Sequence, residues 1–127
     1  MKLADELINE SKLSALAMEA VHELQEGSFG SFAEKFGYAL SYERDVSIAI
    51  QEDLQQSLFE IQSNQSAFAL GQISTAVKFF QPSKSGLIAV VECQVSLNNG
   101  AAVLIELIIS ANGDEKHLTL EQISAAA

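Results

Sequence analysis

Residues 101–110 read AAVLIELIIS, a run that is apolar on both of the faces a β-strand would present. Successive strand residues point to opposite sides. Ala101, Val103, Ile105, Leu107 and Ile109 therefore share one face, and Leu104 and Ile108 stand on the other with Glu106 between them. A strand of this kind needs a core on one side and a second cover on the other.

The segment before it has the complementary pattern. Over residues 87–97, Leu87, Ala89, Val91, Cys93, Val95 and Leu97 alternate with Ile88, Val90, Glu92, Gln94 and Ser96. Asn98-Asn99-Gly100 between the two strands is a hairpin signal, and its length decides the register. A two-residue Asn-Gly turn would put Glu106 on the face of Cys93 and Leu97, and burying a carboxylate among apolar side chains costs several kcal/mol. A three-residue loop with Gly100 left-handed pairs Leu97 with Ala101 and places Glu92 opposite Glu106, at a cost of only a fraction of a kcal/mol when both are exposed. The second register is expected. It leaves Ile88, Val90, Leu104 and Ile108 around Glu92, Gln94 and Glu106 on the outer face, and a monomer seldom leaves so much apolar sheet in water. A second copy across a two-fold axis is the most economical cover, which makes these seven residues the expected dimer interface.

The first half of the chain has helical periods. Leu13, Leu16, Ala17, Ala20, Val21 and Leu24 form one stripe of a helix expected over 3–26, stopped by Gly27, with His22 on the wet side among Glu19, Glu23 and Glu26. Ser31 and Glu34 stand in capping-box spacing at the head of a short helix over 31–40 that carries Phe32, Phe36 and Leu40, with Phe29 just ahead of it on the same spacing. Ser47 is placed to cap a third helix reaching about Gln62, with Ile50, Leu54, Leu58 and Ile61 facing inward and Ile48 and Phe59 facing outward. From Ala67 onward the period becomes two: strands are expected at 67–80, with a bend at Gly71, at 87–97, at 101–110 and at 116–121, followed by a frayed Ala-rich tail. The layout is α+β, one domain over 1–127 with N-terminal helices packed on a curved antiparallel sheet of about four strands.

Charge narrows the partners. The net charge is −10, and residues 1–60 hold twelve acids against Lys2, Lys12, Lys35 and Arg44. Nucleic acids and anionic membranes are repelled by such a surface. No apolar run approaches the ~20 residues of a membrane span, and Asp5, Glu6 and Glu10 occupy the place of a signal peptide's cationic and apolar regions. The single cysteine, Cys93, has no disulfide partner and falls in the apolar alternation of a strand, so a buried thiol in a reducing cytoplasm is expected.

The order of elements, with ALAMEAVHELQEGSFGSFAEKF opening the chain and IELIISANGDEKHLTL closing it, resembles the NTF2-like, or cystatin-like, α+β cone superfamily. The resemblance covers most of the chain, is one of pattern, and departs from the superfamily at His117 and Leu118, where an aromatic is common, and in a more polar third helix. It implies a sheet curled around the helices, ligands entering the open end of the cone, and dimers formed through the outer sheet face. Enzymes of that superfamily place an Asp, His or Tyr inside the cone.

The nearest material for such chemistry is GYALSYERD. On a continuous helix Tyr38 and Tyr42 share a face, ahead of Arg44 and Asp45, so that a tyrosine would donate to a developing oxyanion while Asp45 moves a proton. Alternatively both rings pack at the surface and Arg44 pairs with a neighbouring acid. Glu92 and Glu106 form a second pair, with no histidine in their strands to complete a metal site. P-loop, nucleophile-elbow, zinc and dinucleotide motifs are absent, and no cofactor is expected. Three functions remain: a non-catalytic homodimer binding a small apolar ligand or a protein segment; a small lyase or isomerase using Tyr38, Tyr42 and Asp45; or an acidic adaptor or chaperone that binds a basic partner through the face of Ile48 and Phe59.

Overall fold

In the computed structural model, which describes residues 1–126, the first long helix begins where a side chain can satisfy its free N–H groups. The Asn9 side-chain oxygen accepts from the Lys12 N–H at 2.9 Å, so helix α1 runs Glu10–Gln25 and not from residue 3. The residues ahead of it take other roles. Lys2–Leu3 forms a short strand, β1, followed by a single 3₁₀ turn at Asp5–Leu7. Leu3 is buried although it lies outside the helix, because β1 pairs antiparallel with the last strand of the sheet and the Met1 amino group donates to the Leu118 carbonyl at 2.8 Å.

Helix α2 spans Phe29–Phe36, beginning two residues earlier and ending four residues earlier than the spacing predicts. Gly37 stops it at φ +70°, and the capping box does not form, since the Ser31 hydroxyl donates instead to Glu23 of α1 at 3.0 Å. Helix α3, Val46–Glu60, is capped by Asp45, whose Oδ1 accepts from the Ile48 N–H at 3.1 Å; Ser47 lies inside the first turn. A fourth helix, α4 at Gln65–Ala69, replaces the beginning of the strand expected at 67–80. Asn64 caps it through the Ala67 N–H at 2.9 Å.

The remaining strands are β2 (Gln72–Phe79), β3 (Leu87–Ser96), β4 (Ala102–Asn112) and β5 (Glu115–Ala126). They form a curled antiparallel sheet of five strands in the order β1-β5-β4-β3-β2. The fifth strand is β1, whose two residues are too short to leave a period in the sequence. The Ala-rich tail is expected to fray, but Ala125 and Ala126 extend β5 and pair with Val103 and Ala102; Ala127 lies outside the described residues.

The hairpin register is the one that Glu106 demands. The Leu97 N–H donates to the Ala101 carbonyl at 2.9 Å, Gly100 has φ +85°, and Glu92 pairs with Glu106. Val91, Val95, Val103, Ile105, Leu107 and Ile109 are consequently sealed, all at 0% exposure, against the four helices. Phe32 and Phe36 meet them with ring centroids 4.7 Å apart, and Phe68 arrives from α4.

Buried glutamine chemistry fastens α4. Gln25 Nε2 donates to the carbonyls of Phe68 at 2.9 Å and Gly71 at 3.0 Å, while Gln65 Nε2 donates to those of Leu24 at 3.0 Å and Gln25 at 3.2 Å. Each glutamine thus bridges carbonyls at a helix end, where the Phe68 and Leu24 carbonyls also accept the N–H groups of Gly71 and Gly27. No helix of the described residues is long and apolar enough to cross a membrane.

Candidate functional site

Gly37 separates the two tyrosines from the helix on which they would have shared a face. Tyr38 is extended, with φ −151°, and makes a parallel bridge to Leu120; Tyr42 has φ +54° and is 78% exposed. Asp45 is occupied as the α3 cap. Tyr38 and Tyr42 therefore share no helix face and Asp45 is held as a helix cap, because Gly37, a 3₁₀ turn at Ala39–Ser41 and the positive φ of Tyr42 interrupt the helix.

A different group forms around Asp53. The Tyr38 hydroxyl donates to Asp53 Oδ2 at 2.5 Å, and Arg44 forks the same carboxylate, Nη1 to Oδ1 at 2.9 Å and Nη2 to Oδ2 at 3.2 Å. Arg44 also donates to the carbonyls of Ser41 at 3.1 Å and Leu40 at 2.7 Å. The neighbouring acid expected for Arg44 is thus nine positions away in sequence and one packed layer away in space. Asp53 carried one weak signal: it is the single Asp inside α3, where Glu forms helix more readily.

Burial raises the Tyr38 phenol well above its ordinary range, and the hydrogen bond it donates to the Asp53 carboxylate raises it further. Burial acts on Asp53 in the opposite sense to its partners, but the hydrogen bonds from Arg44 and Tyr38 and the guanidinium charge together outweigh it and hold the carboxyl below its usual value. A phenol that donates to a carboxylate ionised at neutral pH keeps its proton. The trio acts as a clamp between the 37–45 connection and α3.

The sign of its pH dependence follows. A folded-state pKa below the unfolded value of about 3.9 adds stability above that pH, which disappears as the pH falls through the folded-state value. Asp53→Asn is expected to lower Tm at neutral pH by roughly 3–6 °C. The Tm curves of the variant and the wild type should converge in acid; curves that stay parallel from neutral pH into acid would remove the clamp.

The space between helices and sheet is filled. Phe32 and Phe68 are at 0% exposure and Phe36 at 5%, while Phe29 packs against the same cluster from its rim. The Cys93 thiol lies on the inner face at 1% exposure, and burial pushes it up to about 12, which leaves it protonated and unreactive. His22 is exposed beside Gln25 at 3.1 Å, and His117 stands on β5 at 3.4 Å from Glu115.

The outer face of β2–β5 is built as cross-strand rows. One runs Lys78, Val90, Ile108, Thr119; the next Ala76, Glu92, Glu106, Gln122; the next Ser74, Gln94, Leu104, Ser124. Val90, Leu104 and Ile108 are half-buried, and Glu92 and Gln94 are exposed. A trough of 280 Å³ crosses the two rows that hold the glutamates and Leu104. Ile88 leaves this face: a bulge between Leu87 and Ala89 gives β3 one extra residue, and Ile88 packs against the core. A second bulge, at Glu106/Leu107, makes Glu121 the extra residue of β5. Among the described residues no group of three His, Cys, Asp or Glu side chains is placed to hold a metal, so the two glutamates stand without further ligands.

No family model matches the chain, and neither a curated protein nor a solved structure matches it significantly.

Proposed function

We propose that the chain is a non-catalytic, NTF2-like homodimer whose assembly surface is the outer face of β2–β5. The observation that carries this reading is the apolar set Val90, Leu104 and Ile108, half-buried on the outer face with no element of the described residues across it. A two-fold contact also answers the like charges on this face. Lys78 stands one row from Glu92 and Glu106, so antiparallel apposition of two copies brings each lysine toward the partner's acidic row.

The filled interior favours binding on the outside over a ligand within a cone. It also weighs against a lyase or isomerase, for which Tyr38 would need a free proton and an open cavity. A protein segment laid along the trough is the alternative occupant of the same face.

Sedimentation at micromolar concentration tests the proposal. The wild type should sediment as a dimer, and Leu104→Lys/Ile108→Lys should weaken the dimer by about two orders of magnitude, since burying unpaired charge costs about 3 kcal/mol or more. A wild type that remains monomeric throughout that range excludes the proposal.

A further inference from the structure

Apolar exposure on this molecule is concentrated away from the sheet as well. Of the six large apolar side chains that stay exposed among the described residues, Tyr42, Ile48, Phe59 and Leu70 fall within residues 42–70. Two of them stand on α3, Ile48 at 55% exposure and Phe59 at 78%. Eleven residues are three helical turns and about 20°, so both project from one side of the helix, about 16 Å apart along it. Glu52 and Gln55 complete the stripe at the fourth and seventh positions after Ile48, and the opposite side carries the buried Ile50, Leu54 and Leu58.

The charge around this stripe is unbalanced for a structural reason. Arg44 is the only cation between Lys35 and Lys78. Its guanidinium is turned inward on Asp53 and on two backbone carbonyls. Glu43, Asp45, Glu52 and Glu60 are left exposed, and none of them joins an ion pair among the described residues. The clamp thereby produces an outer helix face with two apolar anchors in a wholly acidic surround.

We propose that this face of α3 is a docking ridge for a Lys/Arg-rich amphipathic segment of another protein, its apolar side seated on Ile48 and Phe59 and its cations on Glu52 and Glu60. A second copy of this chain does not supply such a segment: its seven cations are nowhere closer than six residues apart, and its own charge of −10 repels the ridge. Nucleic acids and anionic membranes carry the wrong sign. The inference is independent of the homodimer, since the ridge lies on the helical layer and the dimer contact on the opposite side of the sheet.

The test uses a labelled synthetic peptide with leucine and lysine at helical spacing, titrated with the full chain by fluorescence anisotropy. The peptide should bind at low salt and release as salt rises. Ile48→Ser/Phe59→Ser should weaken binding about tenfold or more, with circular dichroism and sedimentation mass as in the wild type. Glu52→Gln/Glu60→Gln should weaken it severalfold and flatten the salt dependence. The charge-matched Glu19→Gln/Glu26→Gln on α1 and the sheet-face Leu104→Ser/Ile108→Ser should leave it unchanged. The ridge is refuted by absence of binding at low salt, by full affinity in the Ile48/Phe59 variant, or by an equal loss in the α1 variant. The sheet-face variant separates the two proposals, since it removes the dimer and spares the peptide.

Discussion

Replacing Phe68 by alanine is expected to cost about 3–5 kcal/mol of unfolding free energy, the range for deleting a fully buried aromatic. Phe68 is at 0% exposure and is the one buried residue of α4, a helix of five residues. A helix that short does not hold itself, since nucleation consumes most of what its hydrogen bonds return. Its position depends on Phe68 and on the contacts of Gln25 and Gln65 at its two ends. Without the ring, α4 loses its anchor and the buried Gln25 amide loses the fixed position of its acceptors on Phe68 and Gly71. Against a total of about 5–15 kcal/mol for a domain, the loss lowers Tm by about 10–20 °C. Leu70→Ala is the comparison: Leu70 is two residues away and 86% exposed, so a change of less than about 0.5 kcal/mol is expected. Urea unfolding followed by circular dichroism measures both. A Phe68→Ala variant within about 1 kcal/mol of wild type would mean that α4 is not part of the core.

The same few residues show where the sequence stops being legible. Ala67-Phe68-Ala69-Leu70 alternates small and large apolar residues as a strand does, yet Asn64 supplies a cap three residues ahead of Ala67 and the segment turns once as a helix. Both readings bury Phe68, so burial alone does not separate them; the cap does. The β3–β4 register was readable for the opposite reason: shifting it by one residue buries Glu106, and no local preference is large enough to offset that. The inner face, the NNG loop and the outward Ile48 and Phe59 were legible on the same ground, as consequences of sealing or exposing whole side chains.

What escaped the sequence are the features that depend on contacts distant along the chain. The N-terminal pairing of β1 with β5 joins residues more than a hundred positions apart. The bulge that turns Ile88 inward is a property of two strands together. At the candidate site, the expected trio is Tyr38, Tyr42 and Asp45, but the acceptor that organises Tyr38 and Arg44 is Asp53, from another element. Spacing within GYALSYERD carries no information about an acid packed against it from α3. Gly37 did carry a signal: a glycine directly before Tyr38 is a place where a helix ends, and that was enough to separate the tyrosines.

Gly71 provides the second large effect, and its sign is a contest between two terms. A side chain there shortens the list of unfolded conformations and so adds about 0.4–1 kcal/mol of stability wherever the native backbone tolerates it. The backbone at Gly71 is not in the left-handed region, so conformation raises no objection. Space does. A Cβ would collide with Val95 Cγ1, and it would sit 3.2 Å from both Leu97 Cδ2 and the Phe68 carbonyl oxygen that Gln25 holds. Val95 is at 0% exposure near the end of β3, paired with Ile73 and Val103 on either side, and cannot retreat without moving the inner face of the sheet. Overpacking of this kind costs about 1–3 kcal/mol for added methylenes and exceeds the entropic gain. Gly71→Val should therefore destabilise by about 1–2 kcal/mol net. The decisive measurement is the double-mutant cycle with Val95→Ala, which opens a cavity where the new side chain needs room. The two losses should be less than additive by about 1 kcal/mol or more, because the valine at 71 fills part of the space lost at 95. Strict additivity would show that the glycine is required by the bend between α4 and β2 and not by the proximity of Val95.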